Sequence, residues 1–212
     1  MKRATMPAEE AMHLLTEGNA RFTLGNPEGP HRTPEQRIAT ARDGQSPFAA
    51  IVSCADSRVP LELVFDQGIG DIFGLRVAGN ICSRSVIGSI EYAVMHLGTQ
   101  LAVVLGHTRC GALTALVDGV QVDENVALLA GRIAPAVDRA RARFSCLAGP
   151  ALLEEAIKEN VWYQIETLFA ASRHIRDAVR GGGVKVVAGI YDIERGAVSW
   201  LGNHPEEQAL LL

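Results

Sequence analysis

Four short apolar runs, each stopped abruptly by polar residues and separated from the next by a helical pattern, constrain the fold of this chain more than any other feature. They are Phe48 to Ser53, Asp71 to Val77, Leu101 to Leu105 and Val184 to Tyr191. Short, β-branched and aliphatic, they read as strands buried on both faces. Strands of that kind belong to parallel sheets with helices covering both sides. A fifth run, Ala197 to Leu201, follows the fourth so closely through Glu194-Arg195-Gly196 that it reads as an antiparallel hairpin partner. The expected fold class is therefore α/β: a mostly parallel four-stranded sheet with a fifth antiparallel edge strand and helices on both faces.

Between the strands, apolar residues recur at helical spacing. Pro7 to Leu24 reads as an amphipathic helix, and the aperiodic Gly25 to Pro34 as a loop able to carry it away from the core as an arm. Helices are also expected over Pro60 to Phe65, Arg84 to Leu97, Ala112 to Val117, Glu124 to Phe144 with a kink at Pro135, and Ala151 to Arg180, closed by Gly181-Gly182-Gly183. The tail Ala209-Leu210-Leu211-Leu212 is apolar for a free terminus, and an inter-subunit contact is one explanation. One domain over residues 1–212 is expected, with a helical arm at 1–44 and an α/β core at 45–212.

Composition narrows the partners. A formal charge of -4 with no basic block argues against a nucleic-acid ligand. No apolar run approaches the roughly 20 residues needed to span a bilayer, and Lys2 and Arg3 precede no apolar leader core. Four cysteines in 212 residues make a poor disulfide framework. Reduced thiols in a cytoplasmic-type compartment are expected, and a targeting segment removed earlier is compatible with that.

In open parallel sheets the ligand crevice lies beyond the carboxyl ends of the strands. Cys54 directly follows the first run; His107 and Cys110 directly follow the third. Two thiolates and an imidazole form a Cys₂His set, which leaves zinc one open position. Alone, each piece is weak. A cysteine at a strand end is ordinarily a small core residue, and Asp56 beside Arg58 has a bland reading as a surface ion pair worth about 0–1 kcal/mol. Their convergence at adjacent strand ends favours a site. Cys82 and Cys146 have no metal-like spacing and read as ordinary buried or partly buried thiols. Competing motifs fail: a cysteine-phosphatase loop needs arginine where Pro60 stands, and neither a phosphate-binding P-loop nor a zinc-deaminase signature occurs.

Cys54-Ala55-Asp56-Ser57-Arg58-Val59, Arg76-Val77-Ala78-Gly79-Asn80, Ser89-Ile90-Glu91-Tyr92-Ala93-Val94 and Gly106-His107-Thr108-Arg109-Cys110-Gly111 resemble the β-class carbonic anhydrases, and the match continues through Asn160-Val161 and Gly189-Ile190-Tyr191-Asp192. The resemblance implies zinc-dependent reversible hydration of carbon dioxide to bicarbonate by attack of zinc-bound hydroxide. It makes Cys54, His107 and Cys110 the zinc ligands and Asp56 with Arg58 the catalytic dyad. It places Gln45, Phe73, Ala78, Tyr92 and Gly111 around the substrate, Phe73 and Tyr92 in a pocket shared between subunits, and it wraps the N-terminal helices around the partner in a homodimer or larger assembly. Ala55 departs from the commoner serine, a small change. Gln45, eleven residues before Asp56, and Ser53 ahead of Cys54 resemble the plant-like subgroup whose zinc keeps an open position at neutral pH. A carbonyl sulfide or carbon disulfide hydrolase on the same fold, or a non-catalytic zinc domain closed by Asp56, are the alternatives.

Overall fold

The computed structural model describes residues 5–212; Lys2 and Arg3 lie outside the described residues. Five strands form one sheet: β1 (Ala49–Ser53), β2 (Ile72–Arg76), β3 (Leu101–His107), β4 (Lys185–Tyr191) and β5 (Val198–Gly202), in spatial order β2-β1-β3-β4-β5. The first four are parallel and β5 runs antiparallel to β4, as the sequence pattern predicts. The two-residue side-chain period of a strand explains how this sheet is buried twice. Ala50, Val52, Ala102, Val104, Val186 and Ala188 face one core, while Ala49, Ile51, Leu101, Val103, Leu105 and Val187 face the other.

The helices are α1 (Ala8–Thr23), α2 (Pro34–Asp43), α3 (Leu61–Val64), α4 (Arg84–Leu97), α5 (Gly111–Val117), α6 (Glu124–Arg143), α7 (Gly149–Ala171), α8 (Arg173–Arg180) and α9 (Glu207–Leu210). The first core packs under α4, α7 and α8, and the second under α1 and α3. A third cluster, between α5, α6 and α7, holds Cys54 and Cys110 beside Ile133, Val137 and Ile157.

Four local expectations change. The helix expected over Ala151 to Arg180 is two helices, because Ser172 adopts an extended conformation and caps α8 through the Ile175 amide while donating to Glu91. Helix α2, unassigned from the sequence, buries no side chain and so has no apolar stripe; Thr33 caps it, Pro34 opens it and Gly44 ends it. Leu210 and Leu211 pack on the chain's own first core, which accounts for most of the apolar tail. Cys146 is exposed rather than buried or partly buried, since it lies in the turn between α6 and α7, whereas Cys82 is buried. Helix α6 runs through Pro135 as one element.

Helix α1 docks on its own chain. Ala11 and Leu15 are fully buried, and Asn19 donates to the carbonyls of Val64 (3.0 Å) and Gly196 (2.8 Å) while accepting from the Val198 amide. The following loop is tied down by Asp66, a buried carboxylate that accepts from Arg21 Nε at 2.7 Å and from the amides of Glu28 and Gly29. Burial pushes the Asp66 carboxyl up, but the Arg21 hydrogen bond and the two amides outweigh it and hold it below its ordinary value.

Candidate metal centre and active site

Strands β1 and β3 are hydrogen-bonded neighbours that pair Ser53 with Leu105, so the residues just beyond them share one edge of the sheet. There the sulfurs of Cys54 and Cys110 and a ring nitrogen of His107 lie within 4.8 Å of one another, all three residues buried. Tetrahedral zinc with sulfur at about 2.3 Å and nitrogen at about 2.0 Å sets ligand separations of roughly 3.5–3.8 Å, which this cluster reaches with small side-chain adjustments. His107 supplies the deciding detail of fit. Its Nδ1 lies 2.9 Å from the Thr108 carbonyl, so the proton belongs there, and its Nε2 is buried with no hydrogen-bond partner. An orphaned lone pair facing two buried sulfurs is what a metal ion would satisfy.

The two thiols are pushed in opposite directions by their surroundings. The hydrogen bond from Cys110, helped by His107 and by the amides of Gly79 and Asp56, draws Cys54 down to about 4 against the opposing effect of burial. The same bond, with burial, pushes Cys110 up, although the amides of Leu113 and Ala112 at the start of α5 favour its thiolate. A dication held by Cys54, His107 and Cys110 would favour both sulfurs as thiolates and the imidazole as neutral, releasing thiol protons on binding.

Asp56 lies beside the cluster, its Oδ2 3.9 Å from His107 Nε2. Arg58 grips it as a fork: Nε reaches Oδ1 at 3.0 Å, Nη2 reaches Oδ2 at 2.7 Å, and the Arg58 amide adds a bond to Oδ1 at 2.9 Å. This grip holds the carboxyl well below the usual carboxylate range. Arg58 Nη2 also donates to the Arg109 carbonyl, joining the two ligand-bearing turns. Arg109 takes a left-handed conformation, φ 56°, which turns the chain back between His107 and Cys110.

Two elements of the site are not apparent from residue types. Arg76 on β2 donates to the carbonyls of Cys54 (3.2 Å) and Asp56 (2.6 Å), fixing the backbone of the first turn. The Gly79 amide donates to the Cys54 sulfur at 3.3 Å. Arg76 and Gly79 stand in a motif visible in the sequence, but a backbone donor has no residue signature. Gly111 borders open space and Ala78 is partly buried in the turn that carries Gly79, so both lie at this edge.

Gln45, Phe73 and Tyr92 are not gathered here within one chain. Gln45 is exposed and precedes β1, at the opposite end of the sheet from Cys54. Phe73 pairs with Ala50 near the start of β1 and packs on Tyr92, ring centroids 6.2 Å apart. At about 3.3 Å per strand residue, each lies roughly 10 Å or more from the ligands. A cavity of about 520 Å³ beneath α1, lined by Met6, Arg21, His31 and Phe48, is likewise at that far end.

The profile of the carbonic anhydrase family matches residues 49–198, which includes every proposed ligand. Carbonic anhydrase 2 of Mycobacterium tuberculosis is 38% identical over 204 residues, covering 93% of this chain and 96% of that protein. The chain belongs to the β-class carbonic anhydrases. The carbonic anhydrase of Mycolicibacterium smegmatis is 36% identical over 89% of this chain and 90% of its own. Among solved structures, the β-carbonic anhydrase CcaA superposes with a TM-score of 0.74 at 25% identity, covering 95% of this chain and 98% of that one. A chain from the crystal structures of two tetrameric β-carbonic anhydrases of Sordaria macrospora shares the fold, with a TM-score of 0.72 at 23% identity over 92% of this chain and 98% of that one. Family membership and the Cys-His-Cys cluster together make this an enzyme of carbon dioxide hydration.

Proposed function

We propose that the chain interconverts carbon dioxide and bicarbonate at a zinc ion held by Cys54, His107 and Cys110, with Asp56 and Arg58 as its catalytic pair. The observation that carries this reading is the buried, unpartnered Nε2 of His107 facing two cysteine sulfurs beside a carboxylate already committed to arginine. Zinc bound there would supply a Lewis acid that lowers the pKa of water and so provides the nucleophile near neutral pH.

The chain's own residues do the rest. Asp56, kept ionised by Arg58, is an acceptor at any working pH and orients the attacking water by taking its hydrogen bond. Arg58 holds both carboxylate oxygens at hydrogen-bonding distance, which competes with their binding the metal. Adding a carboxylate to two thiolates would also make the centre net anionic, so the fourth position stays open at neutral pH, without bicarbonate-driven cooperativity. Gly111 and Ala78 leave room beside it for a small apolar substrate.

Gln45, Phe73 and Tyr92 are assigned to the site of a second copy. Phe73 on β2, the edge strand of the sheet, packs against Tyr92 of α4, which is 48% exposed, and Gln45 precedes β1 at that same far end. The tetrameric Sordaria relatives support a homo-oligomer. Reduced ligand thiols suit a cytoplasmic compartment, and no helix among the described residues is long and apolar enough to cross a membrane.

Stopped-flow hydration of carbon dioxide, with zinc measured on the same sample, tests the assignment. One zinc per chain is expected in the wild type, and Cys110→Ser is expected to lose most of the zinc and nearly all of the turnover. Full zinc occupancy in that variant would overturn the ligand set.

A further inference from the structure

We propose that Asn160 and Gln164 of α7 are positioning residues for the metal centre: through a relay of neutral hydrogen bonds they hold the Gly79 amide against the Cys54 sulfur and so set how strongly that thiolate donates to the metal. This rests on the metal site proposed above and extends it to two residues that touch neither metal nor substrate.

Both amide side chains are buried, 0% and 1% exposed, on a helix whose other inward residues are mostly apolar. Buried amides without a role are disfavoured there, since each requires several partners. The polarity of the relay follows from its backbone ends, with Asn80 Nδ2 the one buried side-chain group in it left without a partner. The Cys82 amide can only donate, so it fixes Gln164 Oε1 as acceptor, at 2.8 Å. Gln164 Nε2 then faces Asn160 Oδ1 at 3.0 Å and the Arg132 carbonyl at 3.2 Å. Asn160 must therefore turn its Nδ2 the other way, onto the Gly79 carbonyl at 3.0 Å and Asn80 Oδ1 at 3.4 Å. Gly79, pinned by its carbonyl, points its own N–H at the Cys54 sulfur, 3.3 Å away.

The position admits only glycine, because left-handed backbone and a steric clash combine there. Gly79 has φ +73°, and a Cβ there would lie 2.3 Å from Cδ1 of the fully buried Ile133. Helix α6 thus closes the turn from outside while α7 holds it from within. An N–H donated to a thiolate withdraws electron density from sulfur, which weakens its donation and leaves the metal a stronger Lewis acid. The relay is uncharged, so it fixes this effect independently of pH.

Full-length protein loaded with cobalt(II) tests the inference through the sulfur-to-cobalt charge-transfer band and the rate of cobalt transfer to a chelator. Asn160→Leu is expected to move the band to longer wavelength, because the sulfur regains electron density, and to speed release about 10- to 100-fold, because the freed Gly79 turn no longer holds Cys54 in place. Gln164→Leu is expected to move both in the same direction by less. Each variant strips three hydrogen bonds, so a merely structural role would give effects that track the loss of unfolding stability rather than position in the relay. Bands and release rates matching the wild type, or effects that follow stability instead of position in the relay, would overturn the inference. If Asn160→Leu does not fold, Gln164→Leu decides alone, and an unmoved band refutes the relay. A wild type with no sulfur-to-cobalt band would overturn the metal-site reading itself, and the inference with it.

Discussion

Gly18→Ala puts two opposing effects in the same helix. Alanine is the better helix former by about 1 kcal/mol, so on propensity alone α1 should gain. Gly18, however, is where α1 presses onto the backbone of Phe65. A Cβ built there lies 1.8 Å from the Phe65 carbonyl oxygen and 2.8 Å from its carbon. Neither partner is a flexible side chain, and ordinary contact begins near 3.4 Å, so the helix must retreat by roughly 1.5 Å. That retreat breaks the three hydrogen bonds of Asn19 and uncovers part of Leu15. At about 1 kcal/mol per bond and up to about 2 kcal/mol for the leucine, the loss is roughly 3–5 kcal/mol. Net destabilisation of about 2–4 kcal/mol is expected. Gly131→Ala is the control, because Gly131 is exposed within α6 and a Cβ there meets nothing within 4 Å. The same substitution should stabilise by about 0.5–1 kcal/mol. Urea titration of the metal-loaded protein followed by tryptophan fluorescence suits the comparison, since Trp200 stacks on Phe65, centroids 6.0 Å apart. A Gly18→Ala protein as stable as the wild type would refute docking of α1 on its own chain and return the helix to the partner-wrapping arm of the family resemblance.

Other outcomes follow from the site and its supports. Asp56→Asn and Arg58→Ala should abolish most turnover while keeping zinc, as measured by metal analysis beside stopped-flow rates; loss of zinc in either would make the pair structural. Gln45→Ala should lower kcat/KM by about 5- to 150-fold, the range of one lost hydrogen bond of about 1–3 kcal/mol, with zinc and folding intact. Asp66→Asn should cost about 2–4 kcal/mol at neutral pH. The folded Asp66 carboxyl lies below its ordinary value, so its contribution is fully present above about pH 4 and is lost as pH falls through the folded value. The gap between wild type and variant should close in acid, and a gap independent of pH would contradict the Arg21 pairing.

What the sequence disclosed depended on whether a structural role leaves a mark on side-chain type. The strands were legible because burial on both faces demands continuous apolar runs, and the ligands because three metal-binding residue types end two of those runs. Helix α2 was not, since it buries nothing and announces itself only through Thr33, Pro34 and Gly44. The break at Ser172 depends on Glu91, a residue of another helix that the local pattern does not contain. The Gly79 amide and the Asn160 side chain that holds its carbonyl are 81 positions from each other, and nothing in either residue's type specifies the meeting. Gln45, Phe73 and Tyr92 were named by resemblance, and one chain alone does not bring them to the metal ligands.

The placement of the ligands also bears on the order in which the protein assembles. Cys54 and His107 are separated by more than fifty residues of chain, and closing a flexible loop of that size costs about 3.5 kcal/mol. In the unfolded chain a metal ion would have to meet that cost itself, and would compete for the nearer pair His107 and Cys110. In the sheet the cost has already been met by the ladder between β1 and β3, which is complete up to Ser53 and Leu105 before any ligand is reached. An ion entering the folded chain would therefore join two strand ends that the sheet itself holds together, at no further cost in chain closure.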